Sequence, residues 1–294
     1  KREVEDILVV DNIEGTIKEK NLKGLKYREY INKKDLWDWL SIHKTINIES
    51  IIHLGACSDT TQTNFNYLQE NNLLYTQKLW HLSVENDIPF IYASSAATYG
   101  NGSKGFSDEH SLISELKPLN PYGQSKQDFD LWVLRQIKTP PLWVGLKYFN
   151  VYGPGEAHKE NMASVIWHFL LQHKRVENLK LFGASHGYAA GEQQRDFIYV
   201  KDAVKMTLYM LYENSESGIY NVGTGKARTF NDLANGLKIN IKDIDVEYIS
   251  FPNHLMDAYQ AYTCANMDKL LSLGYSDSFL TIEEGISKYL KFWD

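Results

Sequence analysis

Residues 89–126 constrain the fold of this chain more than any other stretch. They open with PFIYASSAATYG, an apolar run that ends in small side chains, and close with PLNPYGQSK just before an amphipathic run. The first piece is typical of a buried parallel strand that surfaces at its carboxyl end, where open α/β sheets place their ligands. The second piece predicts the start of a helix. The stretch therefore indicates one strand–loop–helix unit of an α/β sheet.

Three polar side chains of this unit form a candidate catalytic group. Tyr122 and Lys126 are four residues apart, so in a helix they share one face. A lysine ammonium beside a phenol favours the phenolate and would lower the tyrosine pKa from about 10 toward neutral pH. Ser95, at the end of the strand, would supply a second hydroxyl to the same substrate oxygen. The strand end that carries Ser95 comes before the Y-x-x-x-K pair in the same strand–loop–helix unit. We therefore predict that all three residues act in catalysis.

Composition argues against several functional classes. Of 294 residues, 43% are hydrophobic and 23% are charged, which is ordinary for a globular protein. The net charge is −6 and no long basic run occurs, so we expect no nucleic-acid partner. No apolar run reaches the roughly 20 residues that span a bilayer, so we expect no membrane insertion. Cys57 and Cys264 form neither a disulfide framework nor a metal-binding spacing, which indicates a reducing cytoplasm and no metal.

Strand-like and helix-like segments alternate through the first half of the chain. This order predicts an α/β fold with a Rossmann-like, doubly wound parallel sheet and a smaller C-terminal substrate-binding lobe. We expect residues 1–153 to form a dinucleotide-binding domain and residues 154–294 mainly the lobe, with segments around 195–228 returning to the main domain. Residues 50–58 predict a buried strand with its turn, and residues 141–155 predict one core strand that runs to a Pro-Gly stop. The expected helices cover residues 33–44, 63–86, 162–174, 229–237, 266–273 and 281–292.

The start of the chain resembles the middle of a dinucleotide-binding unit. In EDILVVDN, apolar residues are closed by Asp11, as at the end of the second strand of such a unit, where an acid bonds the adenosine ribose. The preceding strand and glycine loop are absent from the sequence. The one G-x-G-x-x-G, at residues 100–105, follows the wrong strand and opens no helix. We therefore expect about twenty further residues, carrying that loop, at the N-terminus of the native chain.

Longer motifs narrow the assignment. In order they are LGACSDTT, PFIYASSAATYG, PLNPYGQSK, KYFNVYGPGEAHKENMAS, RDFIYVKDA and GIYNVGTG. They resemble the extended short-chain dehydrogenase/reductase family, and within it the nucleotide-sugar epimerases that act at C6 of ADP-linked heptoses. The resemblance covers nearly the whole chain, except its start and an insertion around residues 187–194. It implies an isomerase that moves the C6 hydride to bound NADP, holds a transient ketone and returns the hydride to the other face, supplying heptose for the lipopolysaccharide inner core. It also implies a homo-oligomer, with five subunits in this family.

The resemblance also implies a cofactor site. Its residues are Asp11, Asn12, Lys18 and Lys33 at the adenosine end, and Leu54, Gly55, Ala56, Cys57, Ser58, Asn71, Lys126, Val151 and Lys159 along the rest. An acid after the second strand disfavours the 2′-phosphate of NADP, whereas lysines can neutralise that phosphate. We expect tightly bound NADP, with NAD as the alternative.

Substrate contacts are implied in the same way. They are Asn150, Asn161, His168, Phe182, Gly183, Ala184, Ser185, Arg195 and Tyr259. Arg195 is a planar donor that suits a diphosphate, and the alternative is an ion pair with Asp196 or another acid. Asn161 departs from the family, which has serine at this position.

Lys159 is carried over as a second acid/base residue. The hydride must leave one face of C6 and return to the other while the nicotinamide stays on one side. The C6 oxygen therefore turns, and one tyrosine cannot easily follow it. The alternative is that Lys159 is a surface residue or holds a phosphate.

Three competing functions remain. A nucleotide-sugar 4,6-dehydratase needs an acid and a carboxylate after the catalytic Ser95. Ala96 and Ala97 occupy those positions, so dehydration is disfavoured. A UDP-hexose 4-epimerase needs only the Ser–Tyr–Lys set, and Lys159 argues against it. An inactive cofactor-sensing protein would have no use for an activated phenol.

Overall fold

The computed structural model describes residues 4, 6–43, 47–213 and 216–293, apart from the side chain of residue 254. Strands occur in both halves of this part of the chain. They are β1 (Leu8–Asp11), β2 (Glu29–Asn32), β3 (Ile51–His53), β4 (Phe90–Ser95), β5 (Trp143–Tyr148), β6 (Asn150–Tyr152), β7 (Leu179–Phe182), β8 (Gln194–Tyr199), β9 (Gly218–Val222), β10 (Ala227–Thr229) and β11 (Val246–Ile249).

Helices separate most of these strands. They are α1 (Glu19–Leu22), α2 (Leu36–Ile42), α3 (Phe65–Leu68), α4 (Tyr75–Glu85), α5 (His110–Ile113), α6 (Pro121–Val133), α7 (Val165–Lys174), α8 (Val200–Tyr212), α9 (Phe230–Asn240), α10 (Asp268–Ser272) and α11 (Ile282–Leu290). A π-helical segment, Gln69–Leu74, joins α3 to α4. Short 3₁₀ segments cover Ala96–Tyr99, Ala157–Met162 and Asn253–Leu255. Within the residues described, no helix has the length and apolar character needed to cross a membrane.

The central sheet has the strand order β3-β4-β5-β9, and every pair in it is parallel. Residues of β5 alternate between two cores. Val144 and Leu146 pack against α8 on one face, whereas Trp143 packs with Trp80 and Phe129 on the other. Helices therefore cover both faces, and the prediction of a doubly wound parallel sheet is confirmed.

One of the two cores contains a cluster of tryptophans. The ring of Trp80 lies 5.9 Å from that of Trp132 and 5.7 Å from that of Trp143, centroid to centroid. Trp80 is fully buried, and Phe90 and Phe129 also contact it edge-on. The cluster fills the space between α4, α6 and the central sheet.

Two strand predictions are corrected. The strand and turn expected over residues 50–58 are present, but the strand is not fully buried: Ile52 at its centre is 39% exposed, and β3 pairs only with β4 among the described strands. The single strand expected over residues 141–155 is divided at Phe149. Its first part, β5, pairs with β4, whereas β6 pairs in parallel with β8 in a different sheet.

The remaining strands build smaller sheets. β1 ends at Asp11, as the sequence predicts, and pairs in parallel with β2. β10, β8 and β6 form a three-stranded sheet, and β11 pairs with β7. β9 pairs in parallel with β5 and so completes the central sheet.

Helix boundaries follow their caps. The helix expected over residues 162–174 begins only at Val165, because the Ser164 side chain caps it by accepting from the Trp167 N–H. Thr229 caps α9 as predicted, and Thr281 caps α11 in the same way. The helix expected over residues 33–44 is observed as α2, and Lys44 lies outside the described residues.

Candidate active site

The first turn of α6 lies directly on the turn that follows β4. Pro121 begins the helix, and the Asn120 side chain accepts a hydrogen bond from the Gly123 N–H at 2.8 Å. A Cβ atom at Gly123 would lie 2.9 Å from the Ala97 carbonyl oxygen, so only glycine permits this approach. The close contact puts Tyr122 beside the end of β4.

Ser95 and Tyr122 meet there, and the Ser95 hydroxyl lies close enough to the Tyr122 phenol to lower its pKa against the effect of burial. The Ser95 hydroxyl also accepts from the Ala97 N–H at 3.1 Å, which orients it at the strand end. Both side chains are half-buried. The predicted pair of hydroxyls at one point of the sheet edge is therefore present.

Lys126 lies one helical turn beyond Tyr122 and is buried. Its ammonium donates to the Ala93 carbonyl oxygen of β4 at 2.8 Å. Burial lowers the pKa of Lys126 to about 8, against the smaller opposing effect of the Asp130 carboxylate. The structure thus brings a cation to the strand that carries Ser95.

The expected electrostatics of Tyr122 are corrected. Burial raises the pKa of the Tyr122 phenol, and the hydrogen bond with Ser95 only partly offsets this effect. The predicted lowering by Lys126 is not observed, because the lysine ammonium is itself buried and is bonded to the Ala93 carbonyl. Tyr122 therefore keeps its proton at neutral pH in this structure. This is the form that donates to a carbonyl oxygen.

The loop after β3, residues 54–58, is held by a side chain that sequence reasoning missed. Asn72 is buried, accepts from the Cys57 N–H at 2.8 Å and donates to the Cys57 carbonyl at 2.9 Å. It also donates to the Ser125 hydroxyl of α6 at 2.9 Å. Asn72 lies in the π-helical segment, and no sequence pattern distinguishes it from its predicted neighbour Asn71.

Of the residues expected at the adenosine end, three lie together around Asp11, and the fourth, Lys33, contacts Asn71, which was expected farther along the cofactor. The Lys18 ammonium lies 3.5 Å from the Asp11 carboxylate, and the Asn12 N–H donates to that carboxylate at 2.7 Å. The Lys33 ammonium donates to the Asn71 side-chain oxygen at 2.6 Å. The Lys18–Asp11 pair is partly exposed, so its charges remain accessible to a ligand.

Arg195 is the second buried cation of the site. It lies on β8 and is 6% exposed. Its guanidinium donates to the Gln194 carbonyl at 3.0 Å and stacks 4.7 Å from the Tyr259 ring. Burial lowers its pKa, and the Tyr259 hydroxyl opposes this effect. Within the described ranges, Arg195 has no carboxylate partner.

The alternative pairing of Arg195 with Asp196 is wrong. The Asp196 carboxylate accepts from the backbone N–H groups of Thr224, Gly225 and Ala265 at 2.8 to 3.0 Å. These bonds hold Asp196 away from its neighbour. Arg195 is therefore available to an anionic ligand.

Aromatic side chains surround Tyr259, whose ring lies over this cation. Tyr259 contacts Phe182 at 6.1 Å and Phe251 at 5.0 Å, ring to ring. The His186 ring lies 5.6 Å from Tyr259, and its Nε2 atom bonds the Met256 carbonyl at 2.8 Å. The predicted residues Phe182 and Tyr259 are thus brought together. Phe251 and His186 were missed, and His186 directly precedes the insertion around residues 187–194.

Other predicted substrate residues lie nearby or apart. Gln193 donates to the Gly183 carbonyl at 2.9 Å and to the Ser185 hydroxyl at 2.8 Å, which ties their loop to β8. Asn150 and Val151 lie on β6. His168 lies on α7 and contacts Trp167. The described contacts do not join His168 to Arg195 or Tyr259.

Lys159 lies in the 3₁₀ segment Ala157–Met162 and is exposed, as is Asn161. Between them, Glu160 has φ 48° and ψ −117°, a conformation that L-residues rarely adopt. The Lys159 ammonium makes no ion pair with any described residue. The contacts of the described residues therefore assign no ionic partner to Lys159.

No group of three potential metal ligands occurs among the residues that the structure describes.

Comparisons with known proteins agree with this geometry. The model of the NAD dependent epimerase/dehydratase family matches residues 1–223. The chain is 43% identical to the ADP-L-glycero-D-manno-heptose-6-epimerase of Fusobacterium nucleatum over 98% of this chain and 90% of that protein. The crystal structure of the Helicobacter pylori ADP-L-glycero-D-manno-heptose-6-epimerase superposes with a TM-score of 0.81, at 32% identity, over 97% of this chain and 87% of that one. A UDP-glucuronic acid 4-epimerase from Bacillus cereus, solved with UDP-glucuronic acid and NAD, shares the fold with a TM-score of 0.75 at 22% identity, covering 97% of this chain and 90% of that one.

Proposed function

The chain belongs to the NAD dependent epimerase/dehydratase family, and on that premise we propose that it inverts C6 of the heptose in an ADP-linked sugar. The observation that carries the proposal is that Tyr122 lies beside Ser95 at the carboxyl end of β4, while the buried Lys126 is bonded to the Ala93 carbonyl of the same strand. That arrangement suits the removal of a hydroxyl proton as a hydride leaves the same carbon. The 43% identity to a named 6-epimerase supports C6 as the reacting carbon.

The residues present fit a nicotinamide dinucleotide. The loop of residues 54–58, anchored by Asn72, offers backbone at the edge of the sheet, and Lys126 offers a buried cation. When bound, the cofactor supplies a reversible hydride acceptor whose oxidised ring is positively charged. A positive charge near Tyr122 favours its phenolate, which opposes the effect of burial on its pKa.

The protein groups then divide the proton chemistry. Tyr122 takes the C6 hydroxyl proton as the hydride leaves, and Ser95 holds the same oxygen by a hydrogen bond. Lys126, held on the Ala93 carbonyl one helical turn from Tyr122, would bond the cofactor ribose. Once the C6 oxygen has turned to its second orientation, Lys159 is the acid/base group that transfers its proton. The hydride can then return to the opposite face.

Substrate recognition rests on Arg195. A buried guanidinium without a described carboxylate partner suits a diphosphate, which accepts its parallel N–H donors. Tyr259 stacks on the guanidinium and keeps its plane oriented. The other substrate contacts are Asn150, Asn161, His168, Phe182, Gly183, Ala184 and Ser185.

NADP is the preferred cofactor in this proposal. The Lys18 ammonium near Asp11 reduces the negative charge that would repel a 2′-phosphate. Lys33, on Asn71, adds a second cation. NAD remains the alternative, because Asp11 also suits a free ribose hydroxyl. The cofactor-binding part covers residues 1–153, and the substrate lobe lies mainly within 154–294.

The cellular role follows from the chemistry. The product is an ADP-activated heptose, which supplies the inner core of lipopolysaccharide. We place the reaction in the cytoplasm and the protein in a homo-oligomer.

Product analysis tests the reaction. The purified protein is incubated with ADP-heptose in D₂O, and the two C6 epimers are followed by NMR. We expect interconversion without deuterium at C6, because the hydride returns from the cofactor. Incorporation of deuterium at C6 would contradict the hydride mechanism. Turnover of a UDP-hexose at C4 without turnover of ADP-heptose would establish the alternative 4-epimerase.

A further inference from the structure

Glu156 is a buried carboxylate at the start of the segment that carries Lys159; it is 6% exposed. It accepts hydrogen bonds from the Ser164 N–H at 2.6 Å, the Ser164 hydroxyl at 2.7 Å and the Tyr289 hydroxyl at 2.9 Å. The Gly153 N–H also points at it, at 3.4 Å. No cation pairs with it among the described residues. Hydrogen bonds alone therefore compensate its burial.

These donors come from three separate places in the fold. Gly153 follows β6, Ser164 caps α7, and Tyr289 lies on the C-terminal helix α11. We call residues 154–163 the Lys159 loop. One carboxylate thus holds both ends of this loop and joins them to a helix far along the chain.

The loop between these ends has little freedom. The Lys159 N–H donates to the Glu156 carbonyl at 2.9 Å, and the Ala163 N–H donates to the Glu160 carbonyl at 3.0 Å. The positive φ of Glu160, 48°, is strained for an L-residue and persists only where the surroundings impose it. The loop therefore needs firm anchors to keep Lys159 where it is.

The far side of the loop contacts the cofactor-binding half of the chain. The Asn21 side chain donates to the Gly155 carbonyl at 2.8 Å. The Thr60 hydroxyl lies 3.6 Å from the Met162 sulfur. A change at the Glu156 anchor would therefore alter where the Lys159 side chain stands relative to the cofactor.

We propose that Glu156 is a positioning residue that holds Lys159 in place for one of the two proton transfers at C6. The inference rests on the proposed function, because Lys159 is the acid/base group there. It assigns Glu156 no contact with substrate or cofactor. Its hydrogen bonds act through the loop.

The test is Glu156→Gln, which keeps the shape but puts an NH₂ group among donors. Enzyme carrying oxidised cofactor is mixed with each C6 epimer separately, and the formation of reduced nicotinamide is followed by absorbance. We expect the variant to slow cofactor reduction about tenfold or more with one epimer, and little with the other, since the two proton transfers use different residues. Equal slowing with both epimers would mean that Glu156 only stabilises the fold, and would overturn the proposal.

Lys159→Met distinguishes the positioning role of Glu156 from the acid/base role of Lys159. If Lys159→Met is affected with one epimer only and Glu156→Gln is not, the positioning role of Glu156 is wrong while the proposed function stands. If Lys159→Met behaves as wild type, the second acid/base role itself fails.

Two further variants complete the experiment. Tyr289→Phe removes one donor, is expected to fold, and should give the same asymmetry in weaker form. Asp108→Asn is the matched control: this carboxyl is 2% exposed and accepts the Asn221 N–H at 2.7 Å, away from the Lys159 loop. It should leave the ratio of the two rates unchanged. Asymmetry in Asp108→Asn, or its absence in both Glu156→Gln and Tyr289→Phe, would contradict the inference.

Discussion

Lys126 is a cation held inside the protein by one carbonyl oxygen, and its ionisation should affect how the stability of the fold depends on pH. Its pKa is lowered from 10.5 to about 8 by burial. Between these pH values the unfolded chain binds the proton and the folded chain does not. The free energy of unfolding therefore rises with pH from about 8 to 10.5 through this group.

Lys126→Met should remove that rise and should also weaken cofactor binding and turnover together. Chemical denaturation across this pH range measures the first effect, and cofactor titration measures the second. The wild-type affinity for cofactor should fall as the pH passes about 8, because the ammonium loses its charge. A variant with full cofactor occupancy and normal activity would remove Lys126 from the site.

We expect Arg195 to strengthen substrate binding and to lower the stability of the fold. Arg195→Met should raise KM by about 10- to 150-fold, because charge-assisted hydrogen bonds contribute roughly 1.5–3 kcal/mol. The same change should raise the free energy of unfolding, because it removes a buried charge without a described carboxylate partner.

Steady-state kinetics and denaturant unfolding measure the two effects on Arg195→Met. Arg195→Lys keeps the charge but not the planar fork, so it should be intermediate in KM. Arg135→Met, at an exposed arginine just beyond the end of α6, is the control. A normal KM in Arg195→Met would make the residue structural.

The residue scale also marks a limit of prediction from sequence. The meeting of Ser95 with Tyr122 follows from their order and spacing. The pKa of Tyr122 does not, because it depends on how much water the folded chain excludes. Whether Arg195 pairs with Asp196 was equally undecided, since the backbone donors that hold Asp196 come from residues 224–265.

At the scale of elements, a buried ion pair joins α6 to the central sheet. Lys147 of β5 donates to Asp130 of α6 at 2.6 Å, and both side chains are fully buried. Tyr92 and Ser94 of β4 donate to the same carboxylate at 3.0 and 2.7 Å. The pair therefore fixes the helix that carries Tyr122 and Lys126 against the strands beneath it.

Breaking this pair should be costly and non-additive. Asp130→Asn or Lys147→Met alone should lower the free energy of unfolding by roughly 3–5 kcal/mol, because each leaves an uncompensated buried charge. The double variant should lose clearly less than the sum. Denaturant unfolding of the four proteins gives the coupling, and simple additivity would show that the two charges do not stabilise each other.

Elements that satisfy their own hydrogen bonds were predictable. The capped helix after Thr229 and the long helical stretch before residue 86 follow from local patterns. The division of residues 141–155 into β5 and β6 does not, because the partner of Asn150 is Phe197, far along the chain. The π-helical turn that carries Asn72 is likewise decided by its tertiary hydrogen bonds to Cys57 and Ser125.

At the scale of the whole molecule, two histidines should make the fold sensitive to acid. Burial lowers the pKa of His53 to about 3, helped by the charge of Lys126. Burial lowers that of His110 to about 4, and its Nε2 atom accepts from the Ile219 N–H at 3.0 Å. Both rings stay neutral in the folded protein below pH 6.5, where the unfolded chain binds protons.

The free energy of unfolding should therefore fall as the pH decreases from 6.5 toward 4. The double variant His53→Gln/His110→Gln should flatten this dependence, and His43→Gln, on an exposed ring, is the control. Unfolding by urea at a series of pH values measures it. An unchanged slope in the double variant would contradict the assignment.

The tryptophan cluster between α4, α6 and the central sheet also gives the protein an optical property. Trp80, Trp132 and Trp143 are three of the seven tryptophans. The ring centroids of Trp132 and Trp143 lie 5.9 and 5.7 Å from that of Trp80. At such separations excitation passes between indoles, so ultraviolet emission reports mainly on the half of the chain that would hold the nicotinamide. A reduced nicotinamide absorbs in the region where indoles emit. Hydride arrival on the cofactor should therefore appear as a loss of intrinsic fluorescence, which would let the protein report its own half-reaction without a label.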